Sequence, residues 1–150
     1  MSPPGTIHAS AVVIDTRGVL IRGISGSGKS SLALGLIERD PDATFLVADD
    51  RIVLAAAGGA IEASAPPAIA GKLEVRGLGI VALPYVSPAA VALVVDLLPA
   101  RDCPRLPEPA ERQTVVMGRA LPRLALPVGA VDGVARVRFA LRHFPSAEAG

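Results

Sequence analysis

The sequence predicts a mixed α/β fold, a central sheet with hairpins and flanking helices, on three observations. The apolar run Val19-Leu20-Ile21-Arg22 is strand-like, Ser31–Arg39 is helix-like, and the segment joining them is rich in glycine. Val91–Leu97 is the clearest buried strand of the chain. Residues 131–144 carry apolar side chains at 131, 134, 137, 141 and 144, the period of a closing amphipathic helix.

The elements follow in order. Ile7 to Asp15 alternates weakly and is rich in Val and Ile, Thr16–Gly18 reads as a tight turn, and Val19–Arg22 completes a hairpin. Pro41-Asp42-Ala43 breaks the first helix, and Thr44–Ala48 is a short buried strand ending in Asp49-Asp50-Arg51. Ile52–Ala57 and Ile61–Ala65 flank the turn pair Gly58-Gly59, so a second hairpin is expected. Pro66-Pro67 starts a loop that runs to Gly71-Lys72. The segment Leu73–Ile80 then crowds Glu74, Arg76 and two glycines together, a density that in a loop points to a site. Arg123–Val128 is a further strand, residues 99–111 form a Pro-rich charged loop, and residues 145–150 are expected to fray.

Composition bounds the function. At 150 residues the chain is expected to form one domain, with 51% apolar and 19% charged residues. A net charge of +1 gives no general attraction for nucleic acid or for a membrane surface. No apolar run approaches the roughly 20 residues that span a bilayer. The start lacks a basic, hydrophobic leader, so a cytoplasmic location is expected. The single cysteine, Cys103, has no partner for a disulfide or a metal knuckle and reads as a free thiol.

The glycine-rich joint is Gly23-Ile24-Ser25-Gly26-Ser27-Gly28-Lys29-Ser30, a complete G-x-x-x-x-G-K-[ST] phosphate-binding loop between strand and helix. Its glycines let several amides face one anion, and the helix N-terminus adds its dipole. Lys29 reaches the outer phosphates of a nucleotide such as ATP, and Ser30 is placed to ligate the accompanying Mg²⁺. Of 15 basic residues only Lys29 and Lys72 are lysine, so a chain that prefers arginine keeps lysine at the motif position. Such a loop needs an acidic neighbour, and Asp49 and Asp50 stand at the end of the next strand. If the extended geometry persists through the pair, strand alternation lets only one of them face the loop. Glu74 and Arg76 share a face if their segment is a strand, the first suited to a metal and the second to phosphate oxygens.

These segments together resemble the catalytic domain of the HPr kinase/phosphorylase family. The resemblance is carried by Ile7-His8, the loop at 23–30, Leu46–Arg51, Leu73–Ile80, Val94–Leu97, Arg105-Leu106 and Leu121–Pro127, and it spans nearly the whole chain. It implies a P-loop kinase fold related to phosphoenolpyruvate carboxykinase. It also implies ATP- and Mg²⁺-dependent phosphorylation of a seryl residue on an HPr-like phosphocarrier protein, with phosphate-driven reversal. By the resemblance Asp49 is the base that accepts the seryl proton, His8 and Asp50 support it, Arg105 stabilises the transferring phosphoryl group, and Ser30 and Glu74 hold the metal.

Two departures accompany it. Longer members carry an N-terminal domain ahead of this one, and the segment after Pro127 lacks their basic Arg-Pro-Gly-Arg run. A homo-oligomer is compatible with the resemblance, but these losses tell against the hexamer of longer members and weigh more on the reverse reaction than on the kinase. Two competing functions are a small-metabolite kinase, for which one Tyr, three Phe and no Trp supply few ring-binding walls, and a nucleotide sensor without chemistry. The loop reads phosphates, so ATP and pyrophosphate both stand as donors.

Overall fold

Strands buried on both faces must be apolar at every position, and the two that carry the phosphate loop approach that limit. In the computed structural model, which describes residues 5–144, β2 (Ala9–Ile14) is buried throughout and β3 (Arg17–Arg22) is buried at its four central positions. They form the expected hairpin, but the turn is Asp15-Thr16, with Asp15 at φ 57°, and both Arg17 and Gly18 belong to the strand. The expected strand 7–15 is also divided at His8. Ahead of it, β1 (Gly5–Ile7) pairs with a different partner, β5 (Ile52–Ala57).

The remaining elements are α1 (Lys29–Arg39), β4 (Thr44–Ala48), β6 (Ala60–Ser64), β7 (Lys72–Val75), β8 (Gly79–Ala82), β9 (Ala89–Leu98), β10 (Gln113–Val116), β11 (Arg119–Pro127) and α2 (Gly133–His143). The sheet runs β1-β5-β6-β9-β3-β2-β4, with β11 beside β9 and β10 beside β11. At ten residues, β9 is long enough to serve two neighbours along one edge. Ala89 and Ala90 pair antiparallel with β6, and Val94–Leu98 pair parallel with β11. On its other edge β9 pairs parallel with β3, so β3, β9 and β11 end on the same side of the sheet.

Period-2 alternation divides the side chains between two cores. Val12, Ile14, Val19, Ile21, Leu93 and Val95 face the helices, where Ala33 and Leu36 of α1 and Val137 and Leu141 of α2 meet them. Ala11, Val13, Leu20 and Val94 face the other way, toward Ile52, Leu54, Ile61 and Val116. Each fully buried Leu, Ile or Val contributes about 1.5–3 kcal/mol. The helices approach closely at Gly35, where a Cβ would stand 2.9 Å from Val134 Cγ2. Arg17 donates to the Leu141 carbonyl near the end of α2, satisfying a terminal acceptor.

The second hairpin forms as expected, β5 and β6 about Gly58-Gly59. Leu73–Ile80 is not a loop but the small separate hairpin β7–β8, turning at Arg76–Leu78. The hairpin strand β10 is not foreseen by the sequence pattern, since Gln113 and Val115 are exposed and the strand buries only Val116. The last helix begins two residues later than its apolar period suggests, leaving Val131 fully exposed in the preceding turn. The expected frayed tail lies outside the described residues. No helix among the described residues is long and apolar enough to cross a membrane.

Gly18 is explained by its neighbour rather than by a turn. A Cβ there would lie 2.5 Å from the Ala90 carbonyl oxygen, at the register shift where β3 meets β9. Gly18→Ala is therefore expected to destabilise the fold by about 1–3 kcal/mol, the usual cost of overpacking, read as a lowered midpoint in urea unfolding; an unchanged midpoint would refute the close approach.

Candidate functional site

The phosphate loop leaves β3 at Arg22 and enters α1 at Lys29. Gly26 and Gly28 take φ of 82° and 98°, which side-chain-bearing residues adopt only with strain. A Cβ on Gly23 would collide with Ser27 Oγ, so this position also excludes larger residues. The Ser27 amide donates to the Ile24 carbonyl at 3.0 Å, which closes the curl. The Ser27 hydroxyl is buried without a protein partner, an orphaned polar group inside the loop that an anion would satisfy. Lys29 is only 6% exposed, and its ammonium donates to the carbonyls of Gly23 and Ile24 at 2.9 and 3.0 Å, which pins it along the loop. These features fit the phosphates of a nucleotide.

The two aspartates part company, but not by strand alternation: β4 ends at Ala48, and the left-handed backbone at Asp50 separates the pair. Asp49, 6% exposed, accepts hydrogen bonds at Oδ1 from Ser10 Oγ at 2.6 Å and Ser30 Oγ at 2.7 Å. Its Oδ2 lies 3.5 Å from the Glu74 amide, so β7 stands beside it. Asp50 takes φ 73°, a left-handed conformation that Asp tolerates better than most residues, and its carboxylate is exposed. Its Oδ1 is 3.2 Å from His8 Nδ1, and the Ala9 amide donates to its carbonyl. The break in the strand at His8 thus delivers the imidazole to Asp50.

Ser30, Asp49, Asp50, His8 and the backbone of Glu74 are linked in this way through Ser10, whereas Lys29 bonds only to the loop carbonyls. The Glu74 side chain is exposed on β7, and Arg76 lies in the hairpin turn rather than on a shared strand face. Arg76 does reach the cavity that borders Gly26–Gly28. Arg105 is exposed in the long loop after β9, and no hydrogen bond or ion pair joins it to these residues among the described ones. The described residues contain no group of three or more His, Cys, Asp or Glu side chains that could hold a metal. The hard oxygens of Ser30 and Asp49 instead suit a Mg²⁺ that keeps substrate and water ligands. Cys103 stays outside the site, and burial raises its thiol pKa, against a nucleophilic role.

Sequence reasoning missed two supporting groups. Ser10 is fully buried and bridges the aspartates, accepting from the Asp50 amide at 3.3 Å while donating to Asp49; its signal was a hydroxyl inside an all-apolar strand. Asp96 sits opposite Arg22 in the β3–β9 register, at the root of the loop. Arg22 donates to it through Nε at 2.7 Å and a terminal nitrogen at 2.9 Å, and Arg123 through Nε at 2.5 Å. Burial pushes the Asp96 carboxyl up, but the hydrogen bonds and charges of Arg22 and Arg123 outweigh it and hold the pKa below the ordinary value. The signal was a lone acid in a strand of aliphatic residues, with an arginine ending one neighbouring segment and beginning the other.

Fold and site together define a P-loop α/β domain of the kinase type. The chain belongs to the family described as the HPr Serine kinase C-terminal domain, which matches residues 1–137. It is 34% identical over 139 residues to the HPr kinase/phosphorylase of Burkholderia lata, covering 87% of this chain and 42% of that protein. It is 46% identical over 81 residues to that of Bordetella petrii, covering 53% and 25%. The chain thus spans less than half the length of these relatives. The structure of the Hpr(Ser) kinase/phosphatase from Coxiella burnetii superposes with a TM-score of 0.78 at 30% identity, covering 92% of this chain and 88% of that one.

Because the Asp96 pKa is depressed in the fold, its ion pairs contribute stability that is complete above the unfolded carboxylate pKa and is lost as pH falls through the folded one. Asp96→Asn should therefore cost stability at pH 7, by about 2–4 kcal/mol as two half-buried guanidinium groups lose their partner, and flatten the fall in stability below pH 4. Urea titrations at pH 7 and pH 3 check this; an equal loss at both would exclude the linkage.

Proposed function

We propose that the chain is an ATP-dependent protein serine kinase acting on an HPr-like phosphocarrier protein, and that in a second reaction inorganic phosphate takes the phosphoryl group from the phosphoserine, leaving pyrophosphate and the free seryl hydroxyl. The single observation that carries this reading is the pair of hydrogen-bonded units side by side, Ser30–Asp49–Ser10 on the phosphate loop and His8–Asp50 open to solvent. Family membership supplies the substrate class.

In this reading the loop amides and Lys29 bind and orient the triphosphate, a task well matched to phosphoryl transfer, where positioning and charge stabilisation dominate. Ser30 and Asp49, with Glu74 from the neighbouring strand, would hold the Mg²⁺. That ion, when bound, neutralises charge on the phosphate oxygens. Arg76 steadies the phosphates from the β7–β8 turn. Arg105 belongs to the exposed loop and would reach the transferring group only when a partner draws that loop in.

The roles of the two aspartates are best exchanged relative to the expectation above. Asp49 has its Oδ1 engaged by two hydroxyls and is almost wholly buried, which favours a metal-side role. A base for a seryl hydroxyl on another protein must be reachable, and the Asp50 side chain is 66% exposed. His8 orients it and shares the accepted proton. In the second reaction, the protonated pair would return that proton to the serine oxygen as phosphate attacks.

The test is incubation with HPr from the same organism and γ-labelled ATP, followed by mass mapping. Label on a serine is expected, reduced about 10²–10⁴-fold by Asp50→Asn, the usual worth of a positioned acid/base group. Lys29→Ala should abolish nucleotide binding. Asp49→Asn should instead raise the magnesium concentration needed for half-maximal rate. Unchanged turnover by Asp50→Asn, with Asp49→Asn inactive at saturating magnesium, would return the base role to Asp49, and no label on HPr with ATP bound would sink the substrate.

A further inference from the structure

Resting on the nucleotide reading above, we propose that the cavity of about 340 Å³ beside the phosphate loop receives the purine ring of the donor, held by apolar contact without recognition of the ring's edge. The cavity runs from Gly26–Gly28 and Ser31 to the segment that joins β11 to α2. It opens where the parallel strands β3, β9 and β11 end, the side of an α/β sheet on which ligands bind. Its volume lies within the range of small-molecule sites.

The cavity is chemically two-ended. Ser31, in the first turn of α1, and Arg76 are its hydrogen-bonding side chains, since the Ser27 hydroxyl is buried within the phosphate loop. The opposite wall is Leu97, Leu126, Pro127, Val128 and Val134, which offer no hydrogen-bonding side-chain group. Part of the nearby backbone is already used, since the Val128 amide donates to the Leu98 carbonyl at 2.9 Å and the Ala130 amide to that of Pro127 at 3.1 Å. A nucleotide whose phosphates sit in the loop thus has an aliphatic slot within reach for its base. A slot of this kind discriminates weakly, by roughly 10–200-fold, against 10⁴–10⁵ for one built on hydrogen bonds. Adenine and guanine nucleotides are therefore bound alike, and pyrophosphate forgoes the contribution of the slot.

The chain has no tryptophan, so Val131→Trp, at a fully exposed position on the cavity rim, introduces a single indole reporter. Magnesium-ADP and magnesium-GDP are expected to shift its emission, with dissociation constants within about tenfold of each other, whereas magnesium-pyrophosphate leaves it unchanged. On the unsubstituted chain, calorimetry at several temperatures should give ADP a more negative heat-capacity change than pyrophosphate, the mark of apolar burial. The proposal is overturned if calorimetry registers ADP while the indole stays silent, if pyrophosphate shifts the emission equally, or if GDP binds more than a hundredfold more weakly than ADP. Those results leave the loop as a phosphate site intact. Failure of both ADP and pyrophosphate to bind would remove the nucleotide reading together with the slot.

Discussion

The parallel pairing of β3 with β9 is the constraint on which the site depends. It sets the level at which β3 stops and the phosphate loop begins, and it aligns Arg22 with Asp96 at the root of that loop. The pairing needs close backbone approach at its start, where Gly18 leaves room for the Ala90 carbonyl. It needs a salt-bridged end, where one carboxylate gathers two guanidinium groups from the strands on either side. Between those ends the strands are aliphatic and are covered on both faces, so they cannot slide without exposing a core. The loop is thus suspended from a strand that is buried on both faces and paired along both edges, an anchorage suited to positioning phosphates.

The buried Ser10 extends that anchorage to the chemistry. Its hydroxyl donates to Asp49 and accepts from the Asp50 amide, so the position of one aspartate is transmitted to the other through β2. The left-handed turn at Asp50 then sends its side chain away from the phosphate loop and toward His8. Two adjacent carboxylates consequently occupy different environments, one buried among hydroxyls and one exposed beside an imidazole. Adjacent residues with such unlike surroundings can divide the handling of metal and proton between them.

Around this centre lie parts that remain open. Leu78 and Ile80 on the β7–β8 hairpin are 76% and 70% exposed, and Ile24 of the loop is 81% exposed. The hairpin is a separate two-stranded sheet joined to the site through the Glu74 amide and Asp49. Exposed apolar residues gathered in this way are the kind of patch that marks an interaction surface.

Much of this was legible in the residues themselves. The phosphate loop, the flanking strand and helix, β4, the Gly58-Gly59 hairpin and the buried β9 are local features, written in glycine placement and in the period of apolar residues, and these act over a few positions. The family likeness rested on the same short segments. What local pattern could not carry was anything set by partners distant in the chain: that Gly18 serves β9 instead of a turn, that β7 and β8 pair with each other, that half-polar β10 is held as a strand by β11, and that Val131 falls outside its helix. The same holds in the site. The sequence determined that two carboxylates would stand beside a phosphate loop, but only tertiary structure decided which one faces it, because the hydroxyl of Ser10, the bend at Asp50 and the strand break at His8 become relevant only when β2, β4 and α1 are packed together.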